Sequence, residues 1–243
     1  MAARTSISLR SEDGFTLVEL LVGMIIGTVV LIASLTVLDG AVQLTSKVNS
    51  RVDAIQRGRT AMDLMVRDLR SQVCVGRLTN ATTGATSTDD PLIAGSDTSI
   101  DFYTDLGDGS TTRPPSRRTL TFDPTARTIV ERIFVPTGNR GAYVFPTTAT
   151  STRTLLTDVV QDGTTPIFQF FAYDTATPPA PTVALASPLS ATDEQRTVKI
   201  GITFKALRAG GAATSANAAT LKDDVFRRVV DPNDSNPAPE CSA

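Results

Sequence analysis

Histidine and tryptophan are absent from these 243 residues, cysteine occurs twice, and aromatic side chains make up 5% of the chain. Without histidine no Ser/His/Asp or Cys/His arrangement can form, and the commonest general base and a principal metal ligand are missing. The carboxylates are scattered and unpaired, so no residue is a catalytic candidate, and neither a metal nor a cofactor is expected. The chain reads as a non-enzyme. A net charge of −2 and a pI near 5.2 exclude a global basic field that would recruit nucleic acid. Scarce aromatics, with threonine and alanine abundant after residue 79, imply a thinly packed and surface-rich domain. The length leaves room for one sizeable core or two small ones.

What the chain does have is one long apolar run. Residues 20–38, LLVGMIIGTVVLIASLTVL, contain no charge and no proline. Counted from Phe15 the run reaches ~36 Å as a helix, enough to cross a hydrocarbon core of ~30 Å with some tilt. A cleaved secretory signal fits less well, because its apolar region is shorter and ends in a small-x-small site. Orientation does not follow from charge: Arg4 and Arg10 are offset by Glu12 and Asp13, while Lys47, Arg51, Arg57 and Arg59 lie beyond the span. Gly23 and Gly27 form a G-x-x-x-G pair, a spacing that lets helices approach closely and that is also common in membrane helices.

Glu19 stands at the edge of this run, where a carboxylate costs free energy unless it has a partner. A cut after Gly14 would create an α-amino group on Phe15, and in a side-by-side assembly the amine of one chain could neutralise Glu19 of the next. The stretch Gly14, then Phe15-Thr16-Leu17-Val18-Glu19-Leu20-Leu21, behind a short polar leader, resembles the class III signal of type IV pilin-like proteins. The resemblance implies cleavage between Gly14 and Phe15 by a prepilin peptidase on the cytoplasmic side and N-methylation of Phe15. It also implies a filament-core helix with Glu19 as the assembly carboxylate. Glu12 and Asp13 stand where that family commonly has a basic residue.

Past the span, no proline interrupts residues 41–73, and Val48, Val52, Ile55, Arg59, Met62, Val66, Leu69 and Val73 alternate steps of four and three. This predicts an amphipathic helix packed on the chain's own sheet, with Gly58 as the cheapest place for a bend. After Gly76 the period changes. Strands are expected over 100–106, 119–122, 128–135, 167–173 and 198–206, with residues 123–127 closing a hairpin and the proline-rich stretch 175–188 excluded from a central strand. The fold class expected is α+β: a long N-terminal membrane-spanning helical spine packed on a C-terminal antiparallel β-sheet domain. The expected divisions are a leader 1–14, a membrane or filament-core helix 15–38, its amphipathic continuation 39–75, a β domain 76–231 and a tail 232–243.

The stretches RDLRSQVC, IDFYTD, FQFFAYD and RTVKIGITFKAL look like those of W-type minor pilins and J-type minor pseudopilins. This implies a low-copy subunit of a tip or initiation complex. Implied partners are other pilins or pseudopilins, the prepilin peptidase, an inner-membrane assembly platform, and membrane lipid before assembly. The chain would be a single-pass cell-membrane protein with its leader cytoplasmic and its β domain extracytoplasmic, then part of an extracellular or periplasmic filament. A membrane-anchored adhesin or binding module is the alternative, but it has no need of Glu19.

Two loops invite other readings. Asp101, Asp105 and Asp108 offer oxygen ligands for calcium, yet the acidic loop with a closing glutamate is absent and Asp-Gly is itself a turn signal. Arg113, Arg117 and Arg118 would suit DNA phosphates, but no interleaved aromatics support base stacking. Cys74 and Cys241 are expected to bridge, since an extracytoplasmic domain is where disulfides persist and an exposed free thiol is a liability.

Overall fold

A computed structural model describes residues 16–79, 86–105, 114–138, 143–174, 180–211 and 218–227. Helix α1 (Leu17–Arg70) is followed by β1 (Val75–Thr79), β2 (Thr86–Asp89), β3 (Leu92–Gly95), β4 (Ser99–Thr104), β5 (Ser116–Asp123) and β6 (Thr128–Phe134). Then come β7 (Ser151–Thr157), β8 (Val159–Val160), β9 (Phe168–Ala172), β10 (Val183–Ala184), α2 (Ala191–Arg196), β11 (Lys199–Ala206) and β12 (Ala219–Phe226). The chain divides into two compact units, residues 1–48 and 49–243. The fold class is α+β, as the sequence reading expected.

Within the second unit, β3-β4-β5-β6-β7 form an antiparallel meander, β10-β9-β11-β12 form a second sheet in which β8 also pairs with β11, and β1-β2 form a two-stranded ribbon. The elements follow from local pattern. Ile100, Leu120, Phe122 and Ile129 recur at period two and point to one core, which also takes Phe168, Phe170, Ile200, Ile202 and Phe204 from the second sheet. The expected hairpin is present: Asp123 Oδ1 accepts from Thr125 N at 2.8 Å and Ala126 N at 2.9 Å, and Arg127 closes the turn at φ 54°. The proline-rich stretch contributes only the two-residue edge strand β10, as a segment poor in donors must. β11 departs from simple alternation, since Gly201 and Thr203 are buried along with Ile200, Ile202 and Phe204. It is a central strand covered on both faces.

Two expectations for the helix need correction. The predicted stripe is buried at Met62, Val66 and Leu69 but not nearer the N-terminus: Val48 and Val52 are 53% and 46% exposed, and Arg59 faces solvent. The buried face runs instead through Ala54, Gly58, Ala61, Met65 and Asp68, with Met62, Val66 and Leu69 beside it. Small residues at steps of four and three let the helix backbone lie close to the sheet. Gly58 is therefore a contact point and not a hinge, because a Cβ built there would lie 2.5 Å from Leu221 Cδ1 and 3.1 Å from Ala206 Cβ. Gly58→Leu is expected to destabilise the folded chain by ~1–3 kcal/mol through overpacking, despite leucine's better helix propensity. A thermal melt no lower than wild type would refute that reading.

The helix also ends at Arg70 rather than near residue 75. Backbone pairing takes over: Val73 N donates to Tyr103 O at 3.2 Å and Asp105 N to Ser71 O at 3.0 Å, so the chain peels away to follow β4. Arg227 fixes the same corner. Only 4% exposed, it donates from Nε to Gln72 Oε1 at 3.0 Å and from Nη1 to the carbonyls of Glu194 (2.9 Å) and Thr197 (2.7 Å). Burial lowers its pKa to about 10.

Candidate functional site

The N-terminal end of α1 is built as a capping box. Thr16 Oγ1 accepts from Glu19 N at 3.2 Å, and Glu19 Oε2 accepts from Thr16 N at 3.3 Å and from Thr16 Oγ1 at 3.2 Å. The T-x-x-E spacing thus satisfies donors that a helix start leaves unpaired, and it puts an anion where the helix dipole favours one. Glu19 has a structural reason to be there besides the one weighed from the sequence, and the four-residue signature was readable in it. Gly14 and Phe15, the expected cleavage and methylation residues, lie outside the described residues.

Behind this cap the large apolar side chains from Leu17 to Leu38 are 48–80% exposed. α1 is long and apolar enough to cross a membrane, with a mean hydropathy of 2.6 over its most apolar window and none of that window buried. A Cβ added at Gly23 or Gly27 would meet nothing within 4 Å. Among the described residues, neither glycine makes room for a contact. Leu44, Val48 and Val52 are exposed as well.

The loop candidates are used by the fold. Asp101 receives bidentate hydrogen bonds from Arg117 Nε, both at 3.0 Å, and a further bond from its Nη2. Asp105 is exposed, and Asp108 lies outside the described residues. The arginine cluster is dispersed as well. Arg117 lies over the Phe134 ring at 5.1 Å and is ion-paired to Asp101, while Arg118 is buried. Two of the three arginines offered for DNA are thus neutralised by carboxylates inside the domain, and Arg113 is outside the described residues. Cys74 is disulfide-bonded. Cys241 lies outside the described residues.

A buried ionic cluster escaped the sequence reading. Arg118 shares the core-facing side of β5 with Leu120 and Phe122, Glu131 shares that of β6 with Ile129, and Asp68 continues the Ala61, Met65 stripe of α1. Period two and period 3.6, extended one step past the last apolar residue, would have pointed to all three. Glu131 also stands directly across from Arg153 of β7.

Residues 9–35 match the family model described as the prokaryotic N-terminal methylation motif. The resemblance read from Gly14 to Leu21 is thereby borne out: this chain carries that motif. Among solved structures, it is similar to a chain of the crystal structure of the GspK-GspI-GspJ complex from the enterotoxigenic Escherichia coli type 2 secretion system. The identity is 12%, the match covers 73% of this chain and 97% of that one, and the TM-score is 0.42. No curated protein matches.

Proposed function

We infer that this chain is a minor pilin or pseudopilin. A prepilin peptidase removes residues 1–14, Phe15 is methylated, and the processed chain passes from the membrane into a type IV pilus-like filament through α1, in a tip or initiation complex. The observation that carries this reading is Glu19 at the head of a helical segment, Leu17 to Leu38, whose large apolar side chains are exposed, inside the matched methylation motif. In the membrane that surface is covered by lipid. In a filament it is covered by the helices of neighbouring subunits, with Gly23 and Gly27 allowing close approach. Partners of this kind, together with the peptidase and an inner-membrane assembly platform, follow from the same reading. The β domain is extracytoplasmic, and the finished filament is periplasmic or extracellular.

Glu19 serves two roles that one pair of substitutions separates. Glu19→Gln retains a capping box, since glutamine fills the same position, but removes the charge that would pair with a neighbouring Phe15 amine. Glu19→Ala removes both. Each variant should insert in the membrane and be shortened by fourteen residues on co-expression with a prepilin peptidase, as intact mass will show. Both should be depleted from sheared filaments to a similar extent. If Glu19→Gln is recovered at the wild-type level while Glu19→Ala is not, the carboxylate acts as a helix cap alone and the assembly role fails. Retention of Met1 in assembled material would refute the processing step.

A further inference from the structure

The last turns of α1 meet the β3–β7 sheet through charge as well as packing. The Asp68 and Glu131 side chains have no exposed surface, and Arg118, 8% exposed, lies between them. Its Nη1 donates to Asp68 Oδ2 at 2.9 Å and to Glu131 Oε1. From the edge strand β7, Arg153 Nε donates to Glu131 Oε2, and its Nη2 lies 3.8 Å from Asp68 Oδ2. Arg67 Nε is 3.5 Å from Asp68 Oδ1, an ion-pair distance, but Oδ1 has no hydrogen-bond partner. Asp68 and Glu131 converge on the same Arg118 Nη1, so two buried carboxyls share one deeply placed cation.

We propose that the Asp68–Glu131 pair is a proton-operated fastener joining the end of α1 to β5, β6 and β7, closed in mild acid and loosened at neutral pH. With a proton on the pair, one buried charge faces Arg118; when the proton leaves, two buried anions compete for the same Nη1. Arg118 remains as the one deeply placed cation. Arg67 and Arg153 are 59% and 44% exposed, so water screens what they add. Burial, and then the nearby Glu131 carboxyl, raise the Asp68 pKa to about 6 against the opposing charge of Arg118. Burial alone would raise Glu131, but the interaction with Asp68, the charge of Arg118 and the hydrogen bonds from Arg153 and Arg118 outweigh it and hold that group below the ordinary glutamate value.

The sign follows from the folded chain holding the Asp68 proton more tightly than the unfolded chain does. The contribution of Asp68 is fully present below its unfolded value of 3.8, falls as pH rises to about 6 and is level above that. Glu131, lowered by folding, loses its contribution only in stronger acid, as pH falls below its ordinary value of 4.5. Glu194, raised first by its own burial and then by Asp90, contributes with the same sign elsewhere in the domain. A global melt would mix the two, so the test must be local.

Amide hydrogen exchange on the detergent-solubilised full chain, at about pH 5 and about pH 7.5 and corrected for intrinsic rates, provides it. Protection in the last turn of α1 and in β6 and β7 should fall about tenfold between the two conditions, relative to β11 and β12. Asp68→Asn should abolish that difference, and so should Glu131→Gln, so the comparison survives the failure of either variant to fold. A change shared equally by β11 and β12, no change at all, or a difference retained in a folded Asp68→Asn protein would overturn the proposal.

Discussion

Arg118→Ala is expected to destabilise the folded domain by about 3–5 kcal/mol, the usual loss when one partner of a buried ion pair is removed. The size comes from what is left behind. Asp68 and Glu131 are fully buried, and the arginines that remain near them are the half-exposed Arg67 and Arg153. Neither carboxylate can reach water without moving the helix off the sheet. The variant should respond by taking up protons, so its deficit should shrink in acid, where both carboxyls become neutral. Denaturant midpoints measured at neutral pH and in mild acid check both parts. A loss under about 1 kcal/mol at neutral pH would mean that Arg118 is not the principal counter-charge. Replacing Arg118, Asp68 and Glu131 together by apolar residues of similar volume should cost far less than Arg118→Ala, because no orphaned charge remains.

Cys241→Ser should have an effect of comparable size if Cys241 is the partner of the disulfide-bonded Cys74. These are the chain's two cysteines, and the loop between them holds well over a hundred residues. The chain-entropy model assigns such a closure roughly 4 to 5 kcal/mol, which native-state strain commonly reduces. Cys74→Ser should give the same melting temperature as Cys241→Ser, and the double variant should be no worse than either, since all three lose one bond. Cleavage after Gly14 should be untouched. Non-reducing peptide maps of the purified chain decide the pairing: full alkylation of both cysteines without reductant would eliminate it.

Much of the architecture was legible because it rests on strong periodicity. The central strands β4, β6, β9 and β11 and the Asp123–Arg127 hairpin all announce themselves through alternating apolar residues and turn chemistry. β7 and β12 do not. Ser151–Thr157 lies at a sheet edge with its first four residues exposed, and in Ala219–Phe226 the inward-facing Ala219, Leu221 and Val225 are interrupted by Asp223, so neither displays a clean alternation. The helix face was misread for a related reason. Counting large apolar residues favours Val48, Val52 and Ile55, whereas burial selects Ala54, Gly58 and Ala61, whose value is their smallness. Charged residues hide in the same way, since Arg118 and Glu131 look like solvent-facing positions until the strand phase is carried through them. The methylation signal was legible in full, and the cap formed by Thr16 and Glu19 lay within it, overshadowed by the question of what the carboxylate costs in a membrane.

The Ala54, Gly58, Ala61 seat also sets how the helix responds to load. An interface of long side chains yields gradually, because rotamers can swing while the backbones slide. Here the helix backbone comes closest at Gly58, where it meets the Leu221 side chain and Ala206 Cβ. A pull along the helix axis therefore meets little give. It is transmitted stiffly to β11 and β12 until the contact fails at once, so this junction is a brittle coupling and not a compliant one.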